Sequence, residues 1–129
     1  MSFSFSCYSE NIIVDVVING NFADFDLSYA HIINDKTYIP LRKISEILNK
    51  DVTWDYTNQS AEVEDVIFYK DKNYYAKNLK TYYLNDCPVI KDNTLYVGAR
   101  DFFDIFDIDF SWDQEYYCIN IDNENINLF

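Results

Sequence analysis

Glycine and proline are almost missing, at two residues each, which excludes collagen-like repeats and Gly- or Pro-rich low-complexity linkers. Basic residues are also sparse. Ten Lys and Arg stand against 22 Asp and Glu, giving a formal charge of −12 and a pI near 4.2. Duplex nucleic acid and anionic membranes both select basic patches, so neither is an expected partner. The three cysteines, Cys7, Cys87 and Cys118, are odd in number and lack metal-ligand spacing; they read as reduced small side chains. The one histidine, His31, has no cysteine or carboxylate constellation around it, and no Ser-His-Asp, Cys-His, P-loop or dinucleotide pattern appears. The chain reads as no enzyme, with no cofactor and no metal. No apolar run approaches the ~20 residues of a spanning helix, so no membrane insertion is expected. MSFSFSCYSENIIVDVV has neither a basic n-region nor an apolar h-region, so no signal peptide is expected. Synthesis in the cytoplasm and residence in a virion or similar particle released by lysis follow as the expectation, with the cell envelope as alternative.

What is present is apolar and aromatic surface, at 49% and 19% of residues, enough for a packed core. It is organised by a repeat. The two arginines, Arg42 and Arg100, stand 58 residues apart, and so do the two tryptophans, Trp54 and Trp112. The same offset superimposes Ile32 on Ile90, Tyr38 on Tyr96, Ile47 on Ile105, Asp51 on Asp109 and Asp55 on Asp113 without a gap. Two rare residue types in one register are not a coincidence; the sequence is duplicated.

Each copy has a physical reading. Ile32-Ile33, the polar Asn34-Asp35-Lys36 and Thr37-Tyr38-Ile39 form a hairpin. Pro40 suits a helix start, because its missing N–H would be unsatisfied there anyway. Leu41, Ile44, Ile47 and Leu48 place an apolar stripe on one helical face, Asn49-Lys50 closes the helix, and Val52-Thr53-Trp54 resumes a strand. Tyr56 to Ser60 turns the chain into a strand over 61–67. The second copy repeats this from Pro88 to Ile121, and extra strand pairs precede each copy at 12–18 with 22–27 and at 66–69 with 74–84. The expected fold is α+β: two tandem β-rich repeats, each with one short helix packed on antiparallel strands. The expected division is an N-terminal extension over 1–11, repeats over 12–66 and 67–122, and a tail over 123–129. Units of this size are marginal alone and should bury apolar faces together.

The run Asn34-Asp35-Lys36-Thr37-Tyr38-Ile39-Pro40-Leu41-Arg42, followed by Val52-Thr53-Trp54-Asp55, resembles the copper amine oxidase N-terminal-like domain, also called the stalk domain. Val17-Ile18-Asn19-Gly20 fits the family's first element, and Tyr96-Val97-Gly98-Ala99-Arg100 with Phe110-Ser111-Trp112-Asp113 form a diverged second copy. Asp35-Lys36 departs from the usual Gly-Arg, and Gly98-Ala99 from the usual Pro-Leu. The resemblance implies a non-catalytic accessory module rather than the oxidase, and one histidine cannot build a three-histidine copper site.

Candidate sites follow from the repeat. Arg42 and Arg100 each precede an aspartate, Asp55 and Asp113, by 13 residues, which suggests a bidentate clasp from helix to closing strand, against a recognition role. Trp54 and Trp112 read as packing at recurring strand positions rather than as ligand platforms. Asp101, Asp104, Asp107, Asp109 and Asp113 form the densest acidic run; without a glycine-bearing loop it reads as a solvated face rather than a calcium site. Tyr74, Tyr75, Tyr82, Tyr83, Tyr116 and Tyr117 occur as adjacent pairs. In a strand one of each pair faces outward, a candidate surface for protein or glycan contacts. The leading expectation is a structural, protein-interaction building block of a larger assembly, such as a phage or phage-tail-like particle of a Firmicute, whose partners are protein subunits. The alternative is a cell-envelope, cell-wall glycan-binding module.

Overall fold

The computed structural model describes residues 12–122, so the expected extension and tail, and Cys7, lie outside the described residues. Strands β1 (Ile12–Ile18), β2 (Asn21–Phe22), β3 (Ala30–Ile33) and β4 (Lys36–Pro40) lead into helix α1 (Leu41–Ile47). Next come β5 (Val52–Asp55), β6 (Ser60–Val63), β7 (Val66–Tyr69), β8 (Tyr74–Lys77) and β9 (Lys80–Tyr83). The chain ends with β10 (Val89–Lys91), β11 (Thr94–Gly98), α2 (Ala99–Ile105), β12 (Ser111–Asp113) and β13 (Cys118–Ile121). One sheet has the order β10-β11-β4-β3-β1-β13-β12, with β2 hydrogen-bonded to β1; the other is a meander, β5-β6-β7-β8-β9. Two sheets and two short helices make the protein α+β.

The bounds of β4, α1 and β6, moved by 58, are those of β11, α2 and β13. Backbone conformation follows the same offset. Asn34 and Asp35, at φ 51° and 66°, match Asp92 and Asn93, at 51° and 61°. Two successive left-handed residues are what a two-residue hairpin of type I′ requires, and Asn and Asp tolerate that region best after glycine. The helix ends match too. Asn49 and Asp107 are left-handed at φ 61° and 55°. Beyond them, the Lys50 and Ile108 amides donate back to the Ser45 and Phe103 carbonyls, each at 2.8 Å. This is the Schellman closure, made without glycine.

The two halves expected to bury their apolar faces together meet in one sheet. β4 and β11 pair antiparallel, with Ile39 opposite Val97, Tyr38 opposite Gly98 and Pro40 opposite Tyr96. Moving Tyr38 and Pro40 by 58 gives Tyr96 and Gly98, so the pairing is its own mirror about a local twofold through Ile39 and Val97. Both helices pack on this strand pair. They bury Leu41, Ile44, Phe102 and Phe103 against Ile39 and Val97. The expected boundary between 66 and 67 falls at the start of β7, inside the meander. Beyond the central strands the two halves diverge. β6 turns tightly through Glu64 (φ 56°) into the antiparallel β7, whereas β13 lies parallel to β1.

Three expected strands are shorter than their apolar patterns. The strand over 61–67 breaks at Glu64-Asp65, and that over 74–84 breaks at Asn78-Leu79, whose φ values of 52° and 65° make a hairpin turn between β8 and β9. The strand over 22–27 stops at Phe22, and Asp26 is left-handed at φ 56°. None of the described helices is long and apolar enough to cross a membrane.

Candidate functional site

The duplicated arginines and tryptophans line two grooves. One, of about 780 Å³, is walled by Arg100, Phe110, Trp112, Gln114 and Tyr117 on one side and by the hairpin residues Asn34, Asp35 and Lys36 on the other. The second, of about 440 Å³, is walled by Arg42, Val52, Trp54 and Tyr56 and by Asn93, Thr94 and Leu95. Offset by 58, Arg42, Val52, Trp54, Tyr56, Asn93 and Thr94 fall on Arg100, Phe110, Trp112, Gln114, Asp35 and Lys36. Because β4 and β11 pair about a twofold, each groove takes its arginine and tryptophan from one half and its hairpin turn from the other.

The expected clasps do not form. Arg42 Nη1 donates to the Val52 carbonyl at 3.5 Å and lies 3.9 Å from Glu46 on its own helix, half exposed. The Arg100 guanidinium sits over the Phe110 ring, 5.5 Å from its centroid. Position 52/110 therefore decides the partner: with valine the arginine meets backbone, and with phenylalanine it meets a π face. The two aspartates shape turns instead. Asp55 Oδ1 accepts from the Thr57 and Asn58 amides at 2.9 and 3.2 Å, and Asp113 Oδ1 accepts from the Glu115 and Tyr116 amides at 3.0 and 3.3 Å. These bonds hold the Asp55 carboxyl below its ordinary value, the Asn58 side chain contributing most. Asp and Asn cap amides two and three residues ahead more strongly than other side chains, which explains the repeated aspartate without an arginine.

Trp54 and Trp112 are half-buried against the core from the groove walls. Trp112 Nε1 donates to Gln114 Oε1 at 2.8 Å and its ring meets Tyr117 edge-on at 6.2 Å. Trp54 meets Tyr56 edge-on at 6.1 Å.

The acidic run is not all solvated. Asp104, Asp107 and Asp109 are exposed, but Asp101 is only 6% exposed. Its carboxylate accepts from the Asn85 backbone and side-chain amides at 3.1 and 2.8 Å and from the Asp86 amide at 3.1 Å. A Cβ on Gly98 would meet the Asp101 and Asp86 carboxylates at 3.3 Å, tighter than an ordinary contact, so they would have to shift by a few tenths of an ångström. Sequence reasoning missed Asp101 because its amide partners lie on a loop 15 and 16 residues away. Among the described residues, no three His, Cys, Asp or Glu side chains are placed to share a metal ion.

The tyrosines divide between the meander and a turn. Tyr74 stands opposite Tyr83 and Tyr75 opposite Tyr82. On the core side, Tyr75 stacks on Tyr82 at 5.2 Å and lies 6.3 Å from Phe68. On the other, Tyr69 and Tyr74 are 5.5 Å apart and lead toward Tyr83. Tyr82 and Tyr83 are both exposed, at 43% and 87%, rather than one in and one out, because β9 runs past the core as the sheet's edge. Tyr116 and Tyr117 lie in the turn before β13, not in a strand.

His31 is buried; its Nδ1 lies 2.8 Å from the Tyr29 carbonyl, so that nitrogen donates and Nε2 accepts from Lys91 Nζ at 3.4 Å. Burial lowers its pKa from the ordinary 6.5, and the Lys91 charge adds to the effect.

A family model described as the copper amine oxidase N-terminal domain matches residues 17–121, well over half of the chain and spanning both grooves. No curated protein matches the sequence.

Proposed function

The chain belongs to the copper amine oxidase N-terminal domain family, a non-catalytic, stalk-like module, and from that membership we propose that it serves as a non-enzymatic building block of a larger assembly. A phage or phage-tail-like particle of a Firmicute is the setting this reading favours, with protein subunits as partners. One observation carries it. Among the described residues β9 is the open edge of the meander, all four of its residues are exposed, and Leu79 in the preceding turn projects fully into solvent. An open edge offers unpaired backbone donors and acceptors to a strand of another subunit, and tyrosines beside it add contact area at low entropic cost. Lys80 on the same edge disfavours indiscriminate pairing.

The test is a photo-crosslinking aromatic amino acid in place of Tyr83, irradiated in the particle fraction of the producing cells. Adducts mapping to a strand of another subunit support the reading. A chain that never sediments with a particle and stays uncrosslinked contradicts it. Carbohydrate binding at the cell envelope is a second reading, favoured by the aromatic-walled grooves.

A further inference from the structure

The two grooves share a plan but not a chemistry. In the larger one, the hairpin contributes Asp35 and Lys36, and the opposite wall contributes Arg100 and Asp86. Two charges of each sign cancel, and Lys36 Nζ lies 3.9 Å from Asp86 Oδ1. The groove wall therefore holds many hydrogen-bonding groups with no net charge of its own to select an anion or a cation. In the smaller groove, Asn93 and Thr94 replace Asp35 and Lys36, leaving Arg42 as the one charged wall residue among the described residues. The floors differ as well. Gln114 accepts the Trp112 indole N–H and fixes the ring, whereas the matching position beside Trp54 is Tyr56.

A fixed indole with balanced polar groups around it matches one ligand chemistry. Pyranose rings present an apolar face of C–H groups to an aromatic plane and a rim of neutral hydroxyls that both donate and accept. About 780 Å³ lies within the ~300–1,000 Å³ of small-ligand sites. We propose that the larger groove binds a neutral oligosaccharide, with Trp112 as the stacking platform, Gln114 as the residue that positions it, and the hairpin turn at Asn34 to Lys36 as the polar wall. The smaller groove carries the unbalanced Arg42 charge and has Tyr56 in place of Gln114 beside its indole, and it does not share the activity. This rests on the carbohydrate reading above but places the site away from the outward tyrosines of the meander.

The experiment titrates the full chain with cellotriose and with chitotriose by calorimetry, alongside Trp112→Ala, Gln114→Ala, Trp54→Ala and the pair Tyr82→Ala/Tyr83→Ala. Far-UV circular dichroism checks each fold. The expected result is saturable binding of at least one trisaccharide, lost by about tenfold or more in Trp112→Ala and weakened in Gln114→Ala. Trp54→Ala and the tyrosine pair should bind as the parent does. Gln114 is exposed, so its variant keeps the test decisive if Trp112→Ala unfolds. Binding that survives the Trp112 and Gln114 changes but disappears in the tyrosine pair overturns the groove and leaves the carbohydrate reading standing. Absence of binding by both sugars at millimolar concentration overturns both.

Discussion

Positions 43 and 101 occupy the same place in the two halves, on the first turn of α1 and α2, and each ties its helix to the loop before it. Lys43 does so with a cation, its Nζ 2.7 Å from the Asp26 carboxylate, in the open. Asp101 does so with an anion, buried and saturated by the Asn85 and Asp86 amides. The backbone is the same and the polarity is reversed. The two halves thus share where a fastening is placed and differ in its chemistry. The cost of loss should follow burial rather than charge, because an exposed pair is screened and a buried acceptor leaves orphaned donors when removed.

The halves diverge most two residues further along the helices. Phe103 is fully buried where the first helix has Ser45. Phe103→Ala should cost about 3–5 kcal/mol by urea denaturation, through lost apolar burial and the cavity left behind. At the fastenings, Asp101→Ala should cost about 3 kcal/mol, since several amide donors lose a charged acceptor together. Lys43→Ala should leave the urea midpoint within error, and equal losses at the two positions would refute the burial rule. Ser45 is buried with a hydroxyl that has no hydrogen-bond partner among the described residues. Ser45→Ala should therefore raise stability by about 1 kcal/mol by relieving an unsatisfied buried oxygen. The smallest effect separates His31 from its counterpart Val89. His31 is held neutral by burial, with a pKa below 6.5, while the unfolded chain takes up a proton near 6.5. Its contribution is complete above that pH and declines as pH falls toward the lower folded pKa. Measured as midpoint against pH, the parent should lose stability on acidification from about 6.5, and His31→Gln should show a shallower slope.

What the sequence made legible was local. The Asn34-Asp35 hairpin, the helices starting after Pro40 and Gly98 and the closure at Asn49 all follow from residues within a few positions of each other. What it hid was set by partners far along the chain. Nothing near Ile39 announces that it faces Val97 across a twofold, nor that Asp101 meets amides from a preceding loop. The Arg–Asp spacing of 13 suggested a clasp, but each aspartate found closer donors in its own turn. Tyr82 and Tyr83 alternate as a strand demands, yet both are exposed because alternation says nothing about where a sheet outruns its core.

The two halves form one structure through β4 and β11 rather than two units in a row. One tryptophan lies in each half, so Trp54→Phe and Trp112→Phe leave single fluorescent reporters on opposite halves. Urea unfolding followed through each, with stability matched by circular dichroism, should give coincident midpoints and slopes, as expected of one cooperative unit. Two separated transitions, with either half still folded while the other reports as unfolded, would contradict it.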